Sequence, residues 1–224
     1  MPAEQVPALG RRLAAEGLGA FFLFACVIGS GIMAEQLAAG NMAVALLGNT
    51  LATGAILFVL ITIFGPVSGA HMNPAVSLVA ASRGELSGGD AACYVAAQIL
   101  CGIAGAWAAH LMFDLPLMQL SVKPRTGAGQ WLGEGIATFG LILTILGAVQ
   151  FRREWVAPAV ALYIVAAYWF TSSTSFANPA ITIARSLSDT FSGIAPRDVP
   201  GFILAQLGGA ALAALVARPL FGRG

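Results

Sequence analysis

The sequence predicts an all-α membrane protein of six transmembrane helices plus two re-entrant half-helices, arranged as an inverted internal repeat. Three observations carry that prediction. The chain is 58% hydrophobic and only 9% charged over 224 residues, whereas a soluble domain carries about 25% charged residues; so little charge cannot cover a water-facing surface. Six segments are apolar over roughly the 20 residues that a helix needs to cross the hydrocarbon core. The tripeptide Asn-Pro-Ala occurs at Asn73-Pro74-Ala75 and again at Asn178-Pro179-Ala180, dividing the chain into two similar halves, and repetition sets architecture. Two copies of one unit in an apolar background point to a membrane channel or transporter. The net charge of +1 leaves no basic field for nucleic acid.

The elements follow in order. Residues 1–12 are short and polar. The first span, 10–33, has Glu16 near its start and no clear small-residue cleavage site, so it reads as a retained helix. The second span is 43–64. Residues 66–86 then hold the first Asn-Pro-Ala, and 89–113 form the third span. After the fourth and fifth spans, 129–150 and 156–172, residues 173–197 hold the second Asn-Pro-Ala. The sixth span is 199–218. The two tripeptide stretches are too apolar for exposed loops and too broken to cross. Asn is a favoured N-cap and Pro a favoured first helical residue, and each tripeptide opens a helix-compatible run of about ten residues. Each stretch therefore reads as a loop that dips into the membrane and returns as a half-helix, with irregular backbone lining a wet cavity or buried in protein.

The chain reads as one channel domain, 1–224, with repeat one at 9–113, a linker at 114–128 and repeat two at 129–219. The repeat reaches beyond the tripeptides: Ala15-Glu16-Gly17-Leu18-Gly19-Ala20-Phe21 resembles Gly133-Glu134-Gly135-Ile136-Ala137-Thr138-Phe139, and Ala97-Gln98 resembles Ala205-Gln206. With three spans per half, the second copy enters from the opposite side, so the half-helices approach from opposite faces. The Gly and Ala content suits close helix packing. An N-terminus inside places Arg11, Arg12, Arg83, Arg152, Arg153, Arg218 and Arg223 inside and Lys123, Arg125, Arg185 and Arg197 outside, favouring cytoplasmic termini. Cys26, Cys93 and Cys101 lie in apolar segments without metal spacing and read as buried thiols.

Two half-helices meeting at the midplane bring together two N-termini, each with about half a positive charge and unpaired N–H groups. Asn73 and Asn178 cap these ends and keep amide donors to spare. A water there meets donors and a positive field, so protons and cations face a barrier while neutral solutes pass.

The run Ser68-Gly69-Ala70-His71-Met72-Asn73-Pro74-Ala75-Val76, the second Asn178-Pro179-Ala180, and the glutamates of the first and fourth spans resemble the aquaporin (major intrinsic protein) family over essentially the whole chain. The resemblance, to a bacterial-type member, implies a homotetramer with one pore per subunit in the cell's inner membrane, with no reaction, metal or cofactor. It implies that Glu16 and Glu134 accept hydrogen bonds from the loops feeding the half-helices, with Gln98 and Gln206 in similar supporting contacts. His71 is expected near the inner pore mouth, as a gate or as a packed, loop-bonded side chain. His110 reads as structural or interfacial.

One departure bears on selectivity. Most members have an arginine directly after the second Asn-Pro-Ala, and this chain has Ile181. Family spacing puts Thr53, Ala166 and Ser175 beside it, with Tyr163 or Trp169 in place of Ala166 if the register shifts by three. Such a constriction is wider than the water-specific pattern and has no fixed charge. Arg185, one turn further along, either lines the vestibule, caps the half-helix, pairs with Asp189 or points away. The expected function is a passive channel for water and small uncharged solutes such as polyols, urea or undissociated metalloid acids. The alternatives are a strict water channel, a secondary transporter, which would need an ionisable group on the path, and an intramembrane hydrolase, for which no nucleophile motif accompanies the serines.

Overall fold

The structure is a computed structural model and describes residues 7–222; Arg223, counted above on the inner side, lies outside them. Among the described residues eight α-helices follow in order: α1 (Leu9–Leu37), α2 (Met42–Ser68), α3 (Pro74–Ser82), α4 (Gly88–Met112), α5 (Ala128–Phe151), α6 (Val156–Phe170), α7 (Pro179–Ser186) and α8 (Val199–Phe221). Five of them are long and apolar enough to cross a membrane. The sixth expected span, α6, has 15 residues, about 22 Å of helix, and is extended at its start by a 3-10 turn at Arg153–Trp155.

Local chemistry sets the helix ends. The Asn41 side chain accepts from the backbone of Ala43 and Val44 at the start of α2, and Ser87 accepts from Asp90 at the start of α4. The second span was expected to stop before Gly65-Pro66. The helix instead runs through Pro66 to Ser68 and stops at Gly69, whose φ of +87° only glycine adopts without cost.

The two halves repeat each other's packing: α1 lies on α4 and α2, and α5 on α8 and α6. They interlock because α2 packs on α6, α4 on α7, α3 on α8, and α3 touches α7. The α1/α4 and α5/α8 crossings depend on missing side chains. A Cβ on Gly105 would overlap the Phe21 carbonyl, and one on Gly209 would overlap the Gly135 carbonyl. Backbone cannot move aside as a side chain can, and overpacking typically costs 1–3 kcal/mol or more. Gly105→Val and Gly209→Val are each expected to lose the monodisperse peak on size-exclusion chromatography in detergent; a wild-type elution profile would refute the close crossing.

Candidate pore

The half-helices are built as their sequence suggests. The α3 helix has nine residues and α7 eight, each with proline at its first position. The Asn73 carbonyl group of the side chain accepts from Ala75 N–H at 2.9 Å. That of Asn178 accepts from Ala180 and Ile181 N–H at 3.0 and 3.3 Å. The spare amide donors are partly used across the repeat: Asn73 Nδ2 donates to the Ala177 carbonyl and Asn178 Nδ2 to the Met72 carbonyl, both at 2.8 Å. Each asparagine thus holds the residue just before the other. A primary amide carries two N–H groups, so one on each remains for the cavity.

The loops that deliver the half-helices carry matching strain. Ala70 and Met72 have φ of +49° and +48°, and Ser175 and Ala177 have +49° and +48°; these are the third and first residues before each asparagine. Left-handed non-glycine residues cost of order 1 kcal/mol each or more. The same twist turns successive N–H groups to one side, where a buried carboxylate collects them. Glu16 accepts from Ser68 Oγ and His71 N–H (2.6 and 2.8 Å) on one oxygen, and from Met72 N–H and Gln98 Nε2 (2.6 and 2.8 Å) on the other. Glu134 accepts from Phe176 N–H and Ala177 N–H, both at 2.8 Å, and from Gln206 Nε2 at 2.6 Å. Both glutamates are fully buried.

The glutamines reach onward, Gln98 to Ser77 Oγ at 3.0 Å and Gln206 to Thr182 Oγ1 at 2.9 Å. Ser77 and Thr182 in turn donate to the Asn73 and Asn178 main-chain carbonyls. Neither hydroxyl was singled out from sequence. The signal was present, since both stand four residues after their asparagine.

A continuous cavity of about 1140 Å³ passes both asparagines. Its lining includes the charged Arg83, Glu85, Arg153 and Glu154, an apolar wall with Leu23, Val27, Leu57, Leu141, Val160 and Ile164, and Ile181 with Arg185. His71 lines the cavity and is also bonded, with Nδ1 3.1 Å from Ser77 Oγ and its ring edge-on to Tyr94. His110 lies outside the lining: Nδ1 is 3.1 Å from the Leu117 carbonyl and Nε2 2.9 Å from Ser188 Oγ, tying α4 to the segment after α7.

Thr53, Ser175 and Ile181 line the cavity together. Ala166 does not: it is exposed on α6. The lining residues of α6 include Val160, Ile164 and Tyr168, spaced by four. At 100° per residue, Ala166 lies about 200° from Tyr168. The alternatives fail too, because Tyr163 donates to the Ile136 and Ala137 carbonyls of α5 and Trp169 is exposed. Tyr168 is therefore the aromatic of this ring, its hydroxyl 3.4 Å from Thr53 Oγ1. An apolar helix with no polar stripe gives no register from sequence, so spacing alone missed it.

One more expectation changes, and Arg185 is placed among its alternatives as a residue lining the cavity. Cys93 is exposed and Cys26 and Cys101 are only half-buried, because apolar periodicity cannot separate a lipid-facing surface from a core. Arg185 is 2% exposed and makes no ion pair with Asp189, which instead accepts from Val122 N–H. Its Nε donates to the Ser192 carbonyl and its guanidinium stacks on Phe176, 3.3 Å from the ring centroid. Arg197 is exposed.

A family profile described as Major intrinsic protein matches residues 4–170. The chain is 59% identical over 210 residues to "Aquaglyceroporin AqpS" of Rhizobium meliloti (strain 1021), covering 94% of this chain and 90% of that one. It is 29% identical over 238 residues to "Aquaporin AqpM" of Methanothermobacter thermautotrophicus, covering 92% and 96%. Among solved structures it is similar in fold to an aquaglyceroporin from Plasmodium falciparum, with a TM-score of 0.75 at 22% identity over 96% of this chain and 99% of that one.

Proposed function

The chain belongs to the major intrinsic protein family, and we propose that its pore passes water together with small uncharged solutes such as glycerol, urea and undissociated metalloid acids. It is an integral membrane protein and a passive channel, not an enzyme. The observation that carries the solute range is Ile181: at the cavity wall, three residues after Asn178, it is an apolar side chain without charge or donor. Tyr168 takes back some of the width that an alanine would have left. Thr53, Ser175 and Tyr168 offer hydroxyls to a hydroxylated solute, which suits polyols. The similarity to a protein named as an aquaglyceroporin supports the same reading.

The paired asparagines are a proton and cation barrier in this reading. Two half-helix N-termini converge there, and the remaining amide hydrogens orient each passing water. Glu16 and Glu134 are supports rather than proton carriers, since at least three donors converge on each of them. The Arg83–Arg153 mouth is cytoplasmic, both termini are inside, the bilayer is the cell's inner membrane, and four subunits assemble with one pore each.

Stopped-flow light scattering on proteoliposomes tests the function. Water, glycerol, urea and arsenous acid are expected to cross rapidly without saturation. Passage of water alone would make this a strict water channel. Saturation, or dependence on a proton or sodium gradient, would make it a coupled transporter.

A further inference from the structure

Among the described residues the ion pairs are Arg12–Asp90, Arg83–Glu85, Arg152–Glu154 and Arg197–Asp198. None involves Lys123, Arg125 or Arg185, which gather beyond the constriction. An unpaired buried charge is costly unless its donors are used. Neither Lys123 nor Arg125 lines the cavity, and both are only half-buried. Lys123 Nζ donates to the Phe191 carbonyl. Arg125 donates from Nε to the Gly193 carbonyl and from Nη1 to the Ser173 carbonyl and Thr174 hydroxyl, with its guanidinium carbon 4.9 Å from the centroid of the Phe176 ring.

Arg185 differs. It lines the cavity, is more deeply buried than the others, and has one protein acceptor, the Ser192 carbonyl, on Nε. Its Nη1 is buried with no hydrogen-bond partner in the chain, and so is the hydroxyl of Ser175 in the same cavity. The Phe176 ring holds the guanidinium plane, a stacking that suits arginine and not lysine. Four residues along α7 put its Cα about 6 Å beyond that of Ile181, and the side chain reaches the Phe176 ring.

Resting on the channel reading above, we propose that Arg185 is the specificity-determining cation of this pore, set one turn beyond Ile181, where it donates hydrogen bonds to the hydroxyl oxygens of a passing solute and repels protons and metal cations. Removal of charge from position 181 then widens the pore without opening it to cations. The site takes small neutral molecules rich in hydroxyl oxygens, with Ser175 as a second polar contact.

The test compares wild type, Arg185→Gln and Arg185→Lys in proteoliposomes carrying a pH-sensitive dye. In vesicles that conduct water, Arg185→Gln is expected to raise proton leak per unit of water permeability about tenfold or more, since a unit charge beside the path is lost, and glycerol loses ground to urea. Arg185→Lys is expected to keep the proton barrier while the solute ratio shifts, because charge survives without the planar stacked donor. Unchanged proton leak and solute ratio in Arg185→Gln vesicles that conduct water would overturn the proposal. If Arg185→Gln does not assemble, Arg185→Cys in a chain with serine at the three natural cysteines is treated with a cationic thiosulfonate. Restored proton exclusion supports the proposal; no effect of the reagent, or failure of this variant also to assemble, overturns it by making Arg185 a support of the fold. Wild type that passes neither water nor solute would instead sink the channel reading itself.

Discussion

Glu134→Ala is expected to abolish conduction and to prevent recovery of monodisperse protein, and Glu16→Ala to do the same. Removing the Glu134 carboxylate strands Phe176 N–H, Ala177 N–H and Gln206 Nε2; removing that of Glu16 strands Ser68 Oγ, His71 N–H, Met72 N–H and Gln98 Nε2. Each buried donor left unmade costs about 1–3 kcal/mol, so either loss approaches the roughly 5–15 kcal/mol that a fold has in total. The damage is also specific. These N–H groups belong to loops whose positive-φ residues stay twisted only while the carboxylate holds them, and the same loops present Met72 and Ala177 carbonyls to the opposite asparagine. Glutamine at either position is expected to be milder but still impaired, since its oxygen accepts while its NH2 faces other donors. Thermal unfolding in detergent and water permeability check both. A Glu134→Ala protein that elutes, melts and conducts like wild type would show that the carboxylate does not hold the loop.

Ile181→Arg is expected to lower glycerol and urea permeability about tenfold or more, equivalent to ~1.4 kcal/mol of added barrier, while water falls by much less. The new guanidinium would enter a ring that already contains Thr53, Tyr168 and Ser175, narrowing it and adding a charge. It would also stand about one turn from Arg185, and the repulsion between them is expected to loosen Arg185 from the Phe176 ring and the Ser192 carbonyl. Equal loss of water and solute would mean that residue 181 is not at the constriction. No change in either would mean that the new side chain turns away from the path.

Much of the site was legible because the chain states it twice. The matching positions of Asn73 and Asn178, of Glu16 and Glu134, and of Gln98 and Gln206 each point to a polar group that an apolar segment would not keep without a partner. The hydroxyls of Ser77 and Thr182 obey the same symmetry and were missed only because Ser and Thr are common and unobtrusive in such segments. Tyr168 and Phe176 are not announced by the repeat, because Ile63 and His71, at the matching distances before Asn73, carry different side chains. Their roles depend on which side of α6 faces inward and on the return of Arg125 and Arg185 onto the Phe176 ring.

By itself the sequence determined the composition-driven commitment to a membrane, the number and order of helices, the half-helices with their caps, and the polar residues that must find partners. These follow from local rules, since apolar length, N-cap chemistry and proline geometry act within a few residues of chain. Only the tertiary structure decided that Tyr168 rather than Ala166 meets Thr53, that each asparagine bonds the residue before the other, and that Arg185 lies buried in the cavity wall on Phe176. The physical reason is that helix rotation and loop return are set by close packing at crossings such as Gly105 on Phe21 and Gly209 on Gly135, and an apolar helix with no polar face carries no trace of that rotation in its own sequence.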